Sequence, residues 1–313
     1  MLSRVADSLY WMSRYFERAD HSARVLDANY NLLLNPAKAS TEQRWQRITA
    51  ILGLGSEATE VDPVTAISRL VSDAATRSSI ISCITIARDN ASQVREQISS
   101  EMWERLNQLY HEVRQSTSSR ALPAEPVRLI TLMREGSYQF DGVTHATMNH
   151  GEAWQFIRLG RYMERASALP VLLDAVFCAQ TSADDLDWVG LLTSCSAFEA
   201  YCKVYTADLK PDRVAEFLLL NPEFPYTVRY SADQMQMALE SINRSTSTPA
   251  RRGDRIEKLI GRLRSALAYG QIGDIMSRDF QRFLRSITEQ CQSLHAAVHE
   301  VYIEYPIESA FEA

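Results

Sequence analysis

Residues 2 to 30 read LSRVADSLYWMSRYFERADHSARVLDANY. Leu2, Leu9, Phe16, Ala23 and Tyr30 recur every seven residues, and Val5, Met12, Ala19, Leu26 and Leu33 form a second line beside them. Two apolar lines at this spacing make the seam of a long α-helix, which must lie against at least one partner helix to cover it. Asn35-Pro36 marks its expected end, because proline disfavours helical geometry in the residue before it.

Moving forward 147 residues meets a near copy: Arg14-Tyr-Phe-Glu-Arg-Ala19 becomes Arg161-Tyr-Met-Glu-Arg-Ala166, and Leu26-Asp27-Ala28 becomes Leu173-Asp174-Ala175. The offset is a multiple of seven, so the seam is retained, with Phe156, Met163 and Phe177 on one line and Leu159, Ala166 and Leu173 on the other. Pro170 falls inside this second helix, where loss of a backbone hydrogen bond predicts a kink. The pattern predicts an all-α chain, an elongated helical bundle built from two pseudo-symmetric repeats of several helices. Residues 1–147 form the first and 148–313 the second, joined in one continuous bundle. The two motifs are expected near a common centre, related by a pseudo-twofold axis.

Outward from these helices, eleven glycines and ten prolines are few for 313 residues. No Asn-Gly or Asp-Gly turn separates alternating apolar strands, and Asp141-Gly142 sits in an otherwise helical stretch. Helices are expected near 64–74, 78–115, 126–147, 185–208, 226–243 and 254–304, the second of them broken around Ser99-Ser100. Linkers are expected at 53–63, 116–126, 181–185, 210–212, 221–225 and 245–253.

The composition, 46% hydrophobic and 23% charged, suits a globular chain that needs neither disulfides nor metal to fold. Five cysteines without a C-x-x-C pair argue against a disulfide framework or zinc knuckle, and each is read as a small buried hydrophobe. The first 20 residues carry too many charges for a signal peptide and no later segment is long and apolar enough for a membrane span, so the expected location is the cytoplasm. A net charge of −6 without a long basic run argues against nucleic acid.

The chemistry-bearing features are sparse. Arg14, Glu17 and Arg18 on the first helix, and Arg161, Glu164 and Arg165 on the second, each surround a carboxylate with guanidinium groups. Three readings stay open: solvated ion pairs of small energy, structural pins between crossing helices, and an anion or carboxylate pocket in which Glu17 or Glu164 accepts a proton. No histidine follows a glutamate at the di-iron spacing, His295 and His299 read as a solvated helical face, and Asp184-Asp185-Leu-Asp187 reads as a helix cap. Trp11, Trp103 and Trp154 read as core or interface anchors. No nucleotide-binding or nucleophile-elbow loop occurs, and no cofactor is implied.

The run Leu2-Ser-Arg-Val-Ala-Asp-Ser-Leu-Tyr-Trp11 with Arg14-Tyr-Phe-Glu-Arg-Ala19 resembles the bacterial alpha-E family, named for an all-helical domain with a Glu-Arg motif. Further agreement lies at Cys83 with Ala87-Arg88-Asp-Asn90, at Glu101-Met-Trp103-Glu104 with Asn107, at Thr147-Met148 and at Leu159-Gly160-Arg161-Tyr-Met-Glu164-Arg165-Ala166. Asp89 stands where the family often has Glu. The resemblance implies a partner of ATP-grasp amide ligases and transglutaminase-like proteins, encoded beside them or fused to them, and carries over no catalytic residue. It points to Glu17, Arg18, Glu164 and Arg165, and after them to Arg88, Asn90, Trp103 and Glu104. Two functions follow as expectations: a helical accessory protein of such a ligase system, or an enzyme in its own right with a Glu-Arg pocket for an amide, carboxylate or phosphorylated intermediate.

Overall fold

The computed structural model describes residues 1–33, 40–54, 63–118, 126–178, 185–245 and 250–303. Among them the regular elements are all helical. The first part holds α1 (Ser3–Leu33), α2 (Ser40–Ile51), α3 (Pro63–Ser72), α4 (Ile80–Gln93), α5 (Ser100–Ser118) and α6 (Pro126–Thr147). The second holds α7 (Glu152–Phe177), α8 (Asp185–Ser194), α9 (Phe198–Tyr205), α10 (Pro211–Leu220), α11 (Val228–Ser245), α12 (Ala250–Ala268), α13 (Ile272–Arg278) and α14 (Phe280–Val298).

The long helices α1 and α7 pack on each other at the centre. Around α1 lie α4, α6 and α8, and around α7 lie α11, α14 and α2. This ring of neighbours buries more of α1 than two seam lines predict. Leu9, Phe16, Val5, Met12, Ala19 and Leu26 are buried as expected, but so are Tyr10, Ser13, Arg14, Glu17, Asp20 and Arg24 on other faces. Leu2, in contrast, is 64% exposed. A helix surrounded on several sides buries polar faces as well, and those must find internal partners. The buried apolar side chains form one cluster running from Val5 to Val298.

Where α1 and α7 touch, their backbones approach closely. A side chain at Gly160 would bring a Cβ to 2.4 Å from the Tyr10 carbonyl oxygen. Ser13 Oγ donates to the Ile157 carbonyl at 2.6 Å. Gly160 follows Ser13, and Ile157 follows Tyr10, by the same 147 residues that separate the two Glu-Arg motifs.

Pro170 lies inside α7, as expected, and the helix continues to Phe177. Several local expectations need correction. The single helix expected over 185–208 is two, α8 and α9, because Ser196 adopts the left-handed conformation with φ of 50°. The long helix expected over 254–304 is α12, α13 and α14, followed by a π-helical turn at His299–Ile303. Asp279 starts α14 by accepting a hydrogen bond from the Arg282 amide at 2.9 Å. The helices α2 and α10 were not expected, and α10 begins at Pro211, inside a stretch read as linker. The break near Ser99 is present, with Ser99 Oγ accepting from the Met102 amide at 3.2 Å. Residues 34–39, with the helix end expected at Asn35-Pro36, and residues 55–62, 119–125, 179–184 and 246–249, which include parts of the expected linkers, lie outside the described residues. Cys83, Cys195 and Cys291 are buried, whereas Cys202 is half-buried and Cys178 is exposed, against the expectation for all five. No helix among the described residues is long and apolar enough to cross a membrane.

Candidate functional site

The two motifs meet across the α1–α7 contact and exchange partners. Arg165 on α7 forks onto Glu17 of α1, its Nε donating to Oε1 at 2.6 Å and its Nη2 to Oε2 at 2.8 Å. Glu164 on α7 receives Arg14 Nε on Oε2 at 2.8 Å and Arg18 Nε on Oε1 at 2.6 Å, both from α1. Arg161 Nε stands 4.0 Å from Glu17 Oε2 and donates through Nη2 to Asp141 of α6. Both glutamates are buried, at 4% and 6% exposure, which overturns the reading of solvated pairs. Two guanidinium groups hold the Glu164 carboxyl below its ordinary range even though burial pushes the other way.

Each clamp is built into its surroundings. The last guanidinium nitrogen of Arg165, Nη1, donates to the Pro225 carbonyl at 3.0 Å, so each of its three nitrogens holds a partner. Tyr226 lies between two cations, its ring 3.8 Å from the Arg165 guanidinium carbon and 4.7 Å from that of Arg24. Its hydroxyl donates to Asp20 Oδ2 at 2.5 Å. Asp20 also accepts from Arg24 Nε at 2.7 Å and from Ser137 Oγ at 2.6 Å, and its carboxyl is held low by Arg24 and these hydrogen bonds against its burial. Nothing local in the sequence pointed to Tyr226, Ser137 or Asp141. The Asp20–Arg24 spacing of four residues was the one available signal for that pair.

On the other side, Arg14 stacks over Trp11 at 5.0 Å and donates through Nη1 to His295 Nδ1 at 3.2 Å. A guanidinium can only donate, so Nδ1 is the accepting nitrogen and the imidazole is neutral. Burial and the neighbouring Arg14 push His295 down to about 4. His295 also lies 2.8 Å from the Tyr10 hydroxyl and stacks on its ring, and His299 meets the rings of Tyr10 and Trp11. The pair therefore packs on α1, correcting the expected solvated face. Asp187 is likewise more than a cap, since its buried carboxylate accepts from Arg47 at 3.2 Å.

The two clamps differ in what lies beside them. Arg14, Arg18 and Glu164 border a cavity of about 340 Å³ between α1, α7, the end of α2 and the start of α4. His21 and Ser22 of α1, Ser78 and Ser167 add polar groups, and Ile51, Leu52, Ala168 and Val171 supply the apolar wall. Glu17, Arg161 and Arg165 do not line it. The His21 Nε2 is shielded from solvent and has no hydrogen-bond partner among the described residues, and burial shifts this imidazole towards its neutral form. Arg18 uses only Nε in a hydrogen bond among the described residues. Its side chain keeps 32% of its surface exposed and Val171 is 42% exposed, so the cavity is open to solvent on that side.

The second set of expected site residues forms its own cluster on α4 and α5. Arg88 Nε donates to Asn107 Oδ1 at 2.8 Å and its guanidinium lies over the rings of Trp103, at 5.5 Å, and Tyr110, at 4.8 Å. Arg95 covers Trp103 at 4.7 Å. Asn90 turns back to the Ile86 carbonyl at 2.8 Å, and Glu104 is exposed. Among the described residues none of these four bonds to a Glu-Arg motif side chain, and no group of three or more His, Cys, Asp and Glu side chains is placed to hold a metal ion.

A family model described as a predicted alpha-helical domain with a conserved ER motif matches residues 1–303. The chain is 21% identical over 321 aligned residues to the uncharacterized protein Rv2567 of Mycobacterium tuberculosis, an alignment covering 95% of this chain and 36% of that protein. The same figures hold for the uncharacterized protein Mb2597 of Mycobacterium bovis. The chain thus spans about a third of the length of the curated relatives it matches. No solved structure matches it significantly.

Proposed function

The chain belongs to the Alpha-E family, and from that premise we propose that it is a cytoplasmic helical accessory module that docks an ATP-grasp amide ligase, a transglutaminase-like protein or the peptide they handle. The observation that carries the reading is the saturation of both motif carboxylates. Glu17 is forked by Arg165 and Glu164 is shared by Arg14 and Arg18. A carboxylate whose two oxygens are both taken by guanidinium groups is poorly placed to accept a proton from a substrate, whereas it pins two crossing helices in one register. The length of the relatives, of which this chain covers about a third, suits a unit that works joined to others.

Within this proposal the chain is two diverged copies of one helical unit about a pseudo-twofold axis. The crossed pairing supports it: Arg14 and Arg18 stand to Glu164 as Arg161 and Arg165 stand to Glu17. The packing of α4 and α6 on α1 has its counterpart in that of α11 and α14 on α7. The test of function is co-purification with a neighbouring ligase and measurement of ligase turnover. Association with a changed turnover is expected, and independence on both counts would sink the docking role.

A second reading, an enzyme acting on an amide, carboxylate or phosphorylated intermediate, keeps one observation in its favour: Glu164 and the neutral His21 face one cavity. Only one of the two motif glutamates does so. Metabolite comparison of a strain lacking the protein distinguishes the readings, since an enzyme leaves a substrate that accumulates.

A further inference from the structure

We propose that the cavity beside Glu164 is a binding site for a small aliphatic carboxylate, of the size of an amino acid or the C-terminal residue of a short peptide. The ligand class follows from charge first. Arg14 and Arg18 contribute two positive charges to the cavity, Glu164 removes one, and neutral His21 adds none, so one positive charge is left over. That excess matches a monoanion and is too small for a phosphate dianion. Geometry agrees. Arg18 spends Nε on Glu164 and has its two Nη groups left over, an arrangement suited to the two oxygens of a planar carboxylate. His21 supplies a second group: its shielded Nε2, without a partner among the described residues, belongs to a side chain that borders the same space. With the imidazole in the tautomer that carries its proton on Nε2, this unpaired donor costs free energy that a carboxylate oxygen of the ligand would recover.

The opposite wall sets the rest of the ligand. Ile51, Leu52, Ala168 and Val171 offer an apolar surface, and about 340 Å³ accommodates an aliphatic side chain beside the carboxylate. The crossed clamp supplies the asymmetry that such a site needs. Arg165 spends all three of its nitrogens on Glu17 and the Pro225 carbonyl and does not line the cavity, whereas Arg18 at the matching position has both Nη groups to spare. One copy of the motif thus serves as a lock and the other as a lock with a receptor beside it. The site deepens the docking reading by naming what the module would hold of a peptide, and its test requires no ligase.

Titration calorimetry of the full chain with N-acetyl-L-leucine, N-acetyl-L-leucinamide and inorganic phosphate tests the site. Saturable binding of the acid is expected, with the amide weaker by about tenfold or more because it lacks the charge. His21→Phe and Arg18→Gln should each weaken the acid by about tenfold, the loss expected for one charge-assisted hydrogen bond. Ala168→Leu keeps every charge but fills the space and should abolish binding while circular dichroism remains unchanged. Should Arg18→Gln fail to fold, His21→Phe and Ala168→Leu still decide the matter. The site is refuted by an acid that does not bind, by an amide that binds equally well, by phosphate binding more tightly than the acid, or by an Ala168→Leu protein that binds as before. Failure here with intact ligase co-purification leaves the docking role standing, and binding without co-purification leaves the site standing.

Discussion

At the scale of single residues, the energetic question is what a buried clamp is worth. A fork between Arg165 and Glu17, both below 10% side-chain exposure, must overcome desolvation of two ions, and its removal on one side strands the other. Glu17→Gln should therefore cost about 2–4 kcal/mol in denaturant unfolding. Glu300→Gln, which breaks an Arg255 pair exposed by more than half on both sides, should stay within about 0.5 kcal/mol. Equal small effects would return Glu17 to the class of decorative surface pairs. His295 provides a pH test. Its imidazole takes a proton near 6.5 in the unfolded chain and only near 4 in the folded one. Between those values the unfolded state binds more protons, so stability falls as pH drops through that window. Below it, the depressed carboxyls of Glu164 and Asp20 extend the loss. His295→Gln should flatten the profile between pH 6.5 and about 4, and an unchanged slope there would place the acid sensitivity elsewhere. The sequence made the motif residues visible but left open whether they pair locally or pin two crossing helices. Arg14 and Glu17 sit at a spacing that suggests a local pair, yet each finds its partner on the other long helix. Tyr226 shares Asp20 from 206 positions away, a contact no local spacing can announce.

Among the elements, the long helices were legible because a seven-residue repeat over more than four heptads has no competing explanation, and because it occurs twice. The C-terminal stretch was harder: Gly270 and Asp279 interrupt an amphipathic pattern that otherwise reads continuously, so three helices looked like one. α2 and α10, of 12 and 10 residues, were too short to impose a period against their polar neighbours. The α1–α7 crossing is the element contact on which the site depends, because both clamps span it. Gly160→Ala drives a Cβ against the Tyr10 carbonyl oxygen, a backbone atom that cannot rotate away. The helices must separate by a few tenths of an ångström or more, and the expected cost is about 1–3 kcal/mol. Gly142 on α6 meets nothing within 4 Å of the same added carbon. Gly142→Ala should therefore stabilise by about 0.5–1 kcal/mol through helix propensity alone. Urea unfolding of the two variants separates these outcomes, and a neutral Gly160→Ala would mean that the crossing is looser than described.

For the whole molecule, the crossed clamps and the continuous core make a common claim about cooperativity. Residues 1–147 end with α6, so a chain cut there keeps α1 but loses α7, the helix that covers its Gly160-facing side. Three consequences follow together. Leu9, Met12 and Phe16 remain in a fragment whose core cluster has lost Phe156, Leu159 and Met163. Glu17 loses Arg165, and Arg14 and Arg18 lose Glu164, so buried charges of both signs are left without partners. The complementary fragment, residues 148–313, suffers the mirror image of each loss. Neither piece alone should give a cooperative thermal transition, since marginal stability of about 5–15 kcal/mol for a natural domain does not survive deletions of this size. Mixed in equal amounts, the two pieces carry every group of the interface and should recover helicity and a single transition whose midpoint rises with concentration. Calorimetry of each fragment and of the mixture checks this, and a 1–147 fragment that unfolds cooperatively by itself would show that the core is divisible and that the clamps join two finished halves.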